Sequence, residues 1–457
     1  MRRALPGTTG FVVMLLLSAA GLGCRAGVAN VPPPGVPPII GPGLEDRPDP
    51  AASALFDGAL AEMARLDRLG TWTEEGCARV AKGFLAAADG PGESFDAQAV
   101  FNAGVARERC GQNAEAKGLF ELALTKKAGF HPAKVHLVLL RHREGGGKDI
   151  DRSIAELRQA AIVEARYTNV EALVALAMLS LERGNEAADT DGANDRARAV
   201  RYLQSALAVD DDYSPAMNGL ALYYLSEARS SAGRKVARSS LSGAQATGAA
   251  SAQAMELAAL VCAQAIRKDP KDAVIHNTYG LIQVELGNLG KAAEAFGLAR
   301  SLRPGFYEAE MNFAAVNLQF RGFAKAEEAY RAVLKGRPDD YDARVGLALA
   351  LRGQIQDENA EKQTAAAAKE LERAREIAPE RPEAYYNEAI LTQEYKARGA
   401  GADTRGHLAK ARELFGVFMK KAGTAAEYAD GVKAAGDRIK EIKEVETFLE
   451  AAPKNGS

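Results

Sequence analysis

Prolines 270, 304 and 338 stand 34 residues apart in two successive steps, and each closes an alanine-rich stretch whose apolar residues fall at helical spacing. A period of that length holds two short helices and the turns that join them, so it dictates a repeated helical hairpin. The stretch 273–306 shows the pattern most clearly. Gly280 and Ala292 let the two helices approach, Gly287 and Asn288 turn the chain between them, and Phe296 fills the space beneath the next hairpin. Each hairpin keeps an apolar face that only a neighbour can cover, so a stable chain needs about three or more in a row.

The run Gly280, Gly287, Ala292, Phe296, Ala299 and Pro304 resembles the tetratricopeptide (TPR) repeat position for position. Residues 307–340 keep Ala314, Ala326, Tyr330 and Pro338 in the same places, and residues 97–130 have Gly104, Gly111, Ala116, Phe120 and Ala123. Less regular copies read at 54–89, 132–165, 169–212, 214–270, 341–380 and 381–423. The copies at 169–212 and 214–270 are split by insertions, 185–195 and 227–250, the second with Arg229, Arg234, Lys235 and Arg238 in what reads as a mobile loop or, alternatively, a docking element for an acidic partner. In the copy 341–380 the closing Pro379 comes 41 residues after Pro338, and the seven extra residues predict about one added turn on each arm. The usual first-helix Trp is missing from every copy, and Trp72 lies between helices. The resemblance implies an all-α fold, a right-handed TPR superhelix (α-solenoid) of about nine helix-turn-helix units over 51–424, closed by a capping helix in 425–457.

Residues 1–23 read as an export signal, with Arg2 and Arg3, an apolar run from Phe11 to Leu22 too short to span a bilayer, and small residues before Cys24. That arrangement resembles the lipobox of bacterial lipoproteins, although Gly21 stands where Leu is usual. It implies a lipidated Cys24 as first mature residue, and Arg25 after it favours the outer membrane. Residues 24–50 form a Pro-rich linker, extended and solvated, which either sets a reach or only clears the lipid headgroups. Net charge is −2, without the basic excess of a nucleic-acid-binding surface.

No constellation for catalysis emerges. His131, His136, His142, His276 and His407 lack the spacing of a zinc face, the glycines before Lys291 lack the length and hydroxyl of a phosphate loop, and there is no GxSxG. Asp189, Asp191 and Asp195 have broken EF-hand order and read as a solvated acidic loop. Neither metal nor cofactor nor small-molecule substrate is expected. Cys77 and Cys110 fall in adjacent hairpins and either bridge them in an oxidising compartment or remain two buried thiols, while Cys262 replaces the repeat's Phe in the core. Partners of TPR proteins lie along the concave face made by first helices. Asn102, Asn312 and Asn387 take equivalent places there, where an amide hydrogen-bonds a peptide or serves the repeat itself.

The layout of leader, Cys24, proline-rich spacer and long divergent array resembles the TPR lipoproteins of the myxobacterial adventurous gliding-motility machinery. That resemblance implies a non-catalytic scaffold on the periplasmic face of the outer membrane, partnered by proteins of an envelope motility or secretion complex. A pilotin-like or assembly lipoprotein for a secretin, or a regulator of an envelope enzyme, are the other readings.

Overall fold

The computed structural model describes residues 50–69, 72–89, 96–187, 193–237, 244–399 and 401–451. The export signal, Cys24 and the linker before residue 50 lie outside them. Among the described residues every regular element is a helix, and the helices pair into nine hairpins with one further helix. Two compact units divide them at residue 304.

The first unit holds six hairpins. They are α1 (Pro50–Leu69) with α2 (Glu74–Ala88), α3 (Asp96–Arg109) with α4 (Asn113–Lys126), and α5 (His131–Glu144) with α6 (Ile150–Arg158), which runs on into a π turn. Then come α7 (Val170–Arg183) with α8 (Asp195–Val209), α9 (Ser214–Ala237) with α10 (Ala244–Lys268), and α11 (Ala273–Glu285) with α12 (Leu289–Leu302). The second unit has α13 (Tyr307–Gln319) with α14 (Phe323–Gly336), α15 (Tyr341–Gly353) with α16 (Ala360–Ile377), and α17 (Glu383–Leu391) with α18 (Thr404–Ala422). A π turn, Thr392–Lys396, extends α17, and α19 (Ala429–Ala451) packs on α18.

The helices begin where short polar side chains can satisfy their free N–H groups. Asp340 accepts from Ala343 N at 2.8 Å, Asn169 from Ala172 N at 3.0 Å and Thr73 from Gly76 N at 3.1 Å. Between the arms, Gly111, Gly184 and Gly287 take left-handed φ values of 70°, 64° and 74°.

The aromatic residue of the second arm fills space on two sides. Phe296 lies against Gly280 of its own hairpin, so closely that a methyl at Gly280 would run into the ring. Phe120 lies in the same way on Gly104, and its ring centroid is also 5.0 Å from that of His136 in the next hairpin. Tyr330 packs on Gly346 of the hairpin that follows it. Because these rings and the alanines beside them are buried, each hairpin's core continues into the next within its unit.

Three expectations from the sequence are corrected. The extra length of the copy 341–380 does not lengthen both arms: α15 has 13 residues, as α13 has, whereas α16 has 18 against 14 in α14. The remaining residues widen the turn and form a 3-10 turn, Asp357–Asn359, because Gln356 and Asn359 cap each other there. The basic insertion is not a long loop, since α9 runs to Ala237 and α10 starts at Ala244. Ala, Arg and Lys there favour helix and no proline interrupts it. Asp195 is not a solvated loop acid. It is buried, with Arg183 Nη2 at 2.6 Å, Arg198 Nη1 at 3.3 Å and the backbone N–H of Asn185 at 2.9 Å, so its oxygens are committed to the hairpin. Asp189 and Asp191 lie outside the described residues.

Candidate functional site

The first arms of neighbouring hairpins are joined edge to edge by polar rungs. In the first unit, His136 on α5 places Nδ1 2.6 Å from Glu108 on α3 and Nε2 2.9 Å from Glu171 on α7, while Arg143 also holds Glu108. Burial works to lower the His136 pKa, but the two carboxylates hold it up at about 10. Burial likewise works to raise Glu108, and His136 with Arg143 hold it down at about 2. Further along, Thr278 Oγ1 on α11 donates to Asn218 Oδ1 on α9 at 2.6 Å, and Arg229 Nε meets Glu285 at 2.7 Å. One basic residue of the insertion is thereby paired with a neighbouring hairpin at the surface.

In the second unit Tyr307 donates to Asp340, the cap of α15, at 2.8 Å, and Tyr341 donates to Glu383 on α17 at 3.1 Å. Each tyrosine ring carries a guanidinium on its face, Arg337 at 3.8 Å over Tyr307 and Arg381 at 3.9 Å over Tyr341. Arg352 on α15 reaches toward Asn387 on α17, Nη1 to Oδ1 3.4 Å.

Asn102 and Asn387 are only 2% and 3% exposed, and Asn387 donates Nδ2 to Glu383 O of its own helix at 2.9 Å. A peptide lying on the first arms reaches neither amide. Asn312 is half-buried on α13. Sequence reading missed His136 and Arg352, although both carry a legible signal. His136 comes 34 residues after Asn102, and Arg352 comes 34 after the buried Leu318.

Cys77 on α2 and Cys110, just past α3, are joined by a disulfide with Cα atoms 6.4 Å apart, which ties the first hairpin to the second. Cys262 is a buried free thiol whose pKa burial pushes up to about 12, an inert core position. Among the described residues no group of three His, Cys, Asp or Glu could hold a metal ion, and no helix is long and apolar enough to cross a membrane.

The fold is a TPR α-solenoid. Neither a protein-family model nor a curated protein sequence matches the chain. Solved structures do resemble it. PilF of Pseudomonas aeruginosa is 17% identical over 58% of this chain and 97% of its own, with a TM-score of 0.41. TTC0263, a thermophilic TPR protein of Thermus thermophilus, is 21% identical over 49% of this chain and 99% of its own, with a TM-score of 0.37. PilW, described as a widely conserved type IV pilus biogenesis factor, is 16% identical over 56% of this chain and 96% of its own, with a TM-score of 0.36. At such identities the likeness concerns the fold alone.

Proposed function

We propose that this chain is an exported, lipid-anchored scaffold that binds other proteins along its first helices and performs no catalysis. The observation that carries the reading is the row of first arms in each unit. Polar rungs hold them side by side, and Asn312 and Arg352 stand half-buried on them. Cys24 supplies the anchor and the Pro-rich linker the clearance, so that contacts become local ones at a membrane.

The finer proposal is a place on the periplasmic face of the outer membrane, within a gliding-motility envelope complex. It rests on the layout of leader, Cys24, spacer and long array. Crosslinking in native cells, followed by identification of captured chains, tests it. Motility-complex proteins are the expected capture. Secretin subunits alone would replace this reading with the pilotin-like one. Cys24→Ala should release the protein from membranes, and continued retention would contradict the anchor.

A further inference from the structure

Cys77 and Cys110 share one bond but stand in unlike surroundings. Cys77 lies in the first turn of α2 and is 0% exposed, and Leu66 of α1 closes over that turn, its Cδ1 3.2 Å from where a methyl on Gly76 would stand. Cys110 is half-buried in the turn between α3 and α4. Gly111, next to it, takes a left-handed φ of 70°, and a Cβ there would meet no atom beyond its chain neighbours within 4 Å. Cys110 Sγ also lies 3.3 Å from the carbonyl oxygen of Thr73, an exposed residue. The open side of the bond is therefore the Cys110 side.

Sulfur is not all that keeps the first hairpin stacked. Phe56 on α1 and Val80, Ala81 and Phe84 on α2 belong to one buried cluster with Ala99, Val100 and Ala103 on α3, and that packing does not run through the disulfide. Opening the bond removes a clamp and leaves the core beneath it in place. Thiol–disulfide exchange requires the attacking sulfur to touch the one it joins, so access selects which cysteine is attacked. Cys262, a buried free thiol, takes no part.

We infer that Cys110 Sγ is the site at which this disulfide exchanges with thiols from solvent, a covalent modification site in the folded chain. A thiolate RS⁻ attacks Cys110 Sγ, a new S–S bond forms as the Cys77–Cys110 bond breaks, and the electron pair leaves on Cys77 Sγ, which takes a proton from water. A second RS⁻ attacks the outer sulfur of the mixed disulfide and releases RSSR and the Cys110 thiolate. Two thiols are thereby oxidised, and the protein disulfide is reduced by two electrons. The reverse sequence, with RSSR as oxidant, closes the bond again. Cys110 carries the mixed disulfide in both directions.

Glutathione and the full chain test this, with adducts assigned to residues 77 and 110 by peptide mapping. Cys77→Ser and Cys110→Ser each keep their adduct, since the sulfur that would displace it is gone. With oxidised glutathione, Cys77→Ser should gain an adduct at Cys110 at least about tenfold faster than Cys110→Ser gains one at Cys77, the difference between a half-buried and an enclosed sulfur. Equal rates, or a faster adduct at Cys77, overturn the inference. Where a variant has lost helix, the wild-type chain decides. Reduced glutathione, followed by acid quenching and alkylation, should place glutathione on Cys110 and the alkyl group on Cys77, with the circular dichroism of the helices unchanged. Glutathione on Cys77, or a bond that opens only after denaturant has removed the helices, overturns it as well.

Discussion

His136 stands where the preceding hairpin has Asn102, and it turns a neutral position into a cation between two carboxylates. Its folded pKa lies above the ordinary 6.5, so its contribution is complete below that value and is lost as pH rises toward about 10. Glu108 is depressed from 4.5 to about 2, so its contribution is complete above 4.5 and is lost as pH falls. Melting temperature should therefore peak between those two ordinary values and decline on both sides. His136→Leu should flatten the alkaline decline and cost about 3–5 kcal/mol, since it strands carboxylates inside the fold. A variant with the wild-type pH profile would show that the rung does not hold the hairpins. Arg321 offers the opposite test. It has a φ of 58° at the inter-arm position that Gly287 fills one repeat earlier, an unfavourable conformation for a residue with a Cβ. Arg321→Gly should leave stability unchanged or raise it by up to about 1 kcal/mol, whereas Gly287→Ala should lower it by about 1 kcal/mol. Denaturant melts of the two variants decide.

At the scale of the hairpin, the disulfide is the strongest single constraint between elements. Closing a loop of 33 residues should be worth roughly 3–4 kcal/mol, so reduction should make the first two hairpins lose helix earlier on heating. Identical melts in oxidising and reducing buffer would contradict that. The hairpins themselves are legible in the sequence wherever small residues face aromatic ones: Gly280 with Phe296 and Gly104 with Phe120 mark both arms, and each pair meets in space. Length differences are less legible, since a wider turn and a longer helix add the same residues. Only the mutual capping of Gln356 and Asn359 divides the excess in 341–380 between them. Rungs are the least legible feature, because they join side chains of different repeats. His136 and Glu171 are 35 positions apart, and nothing local marks them as partners. On the capping helix α19, Ala435 and Ile442 pack inward while Phe448 is 73% exposed.

For the whole molecule, stacking explains why a chain with few aromatic residues, 6% of its length, still buries a core. Within each unit a hairpin borrows its cover from its neighbour, and alanines and single rings suffice when backbones lie close. The same economy leaves the first arms as the surface we propose for a partner. Site-specific photo-crosslinking in native cells tests it most directly, with the reactive side chain placed at Asn312 on the first arm of a hairpin or at exposed Arg331 on the second arm of the same hairpin. A captured protein is expected from Asn312 and none from Arg331. Capture from Arg331 alone would contradict it.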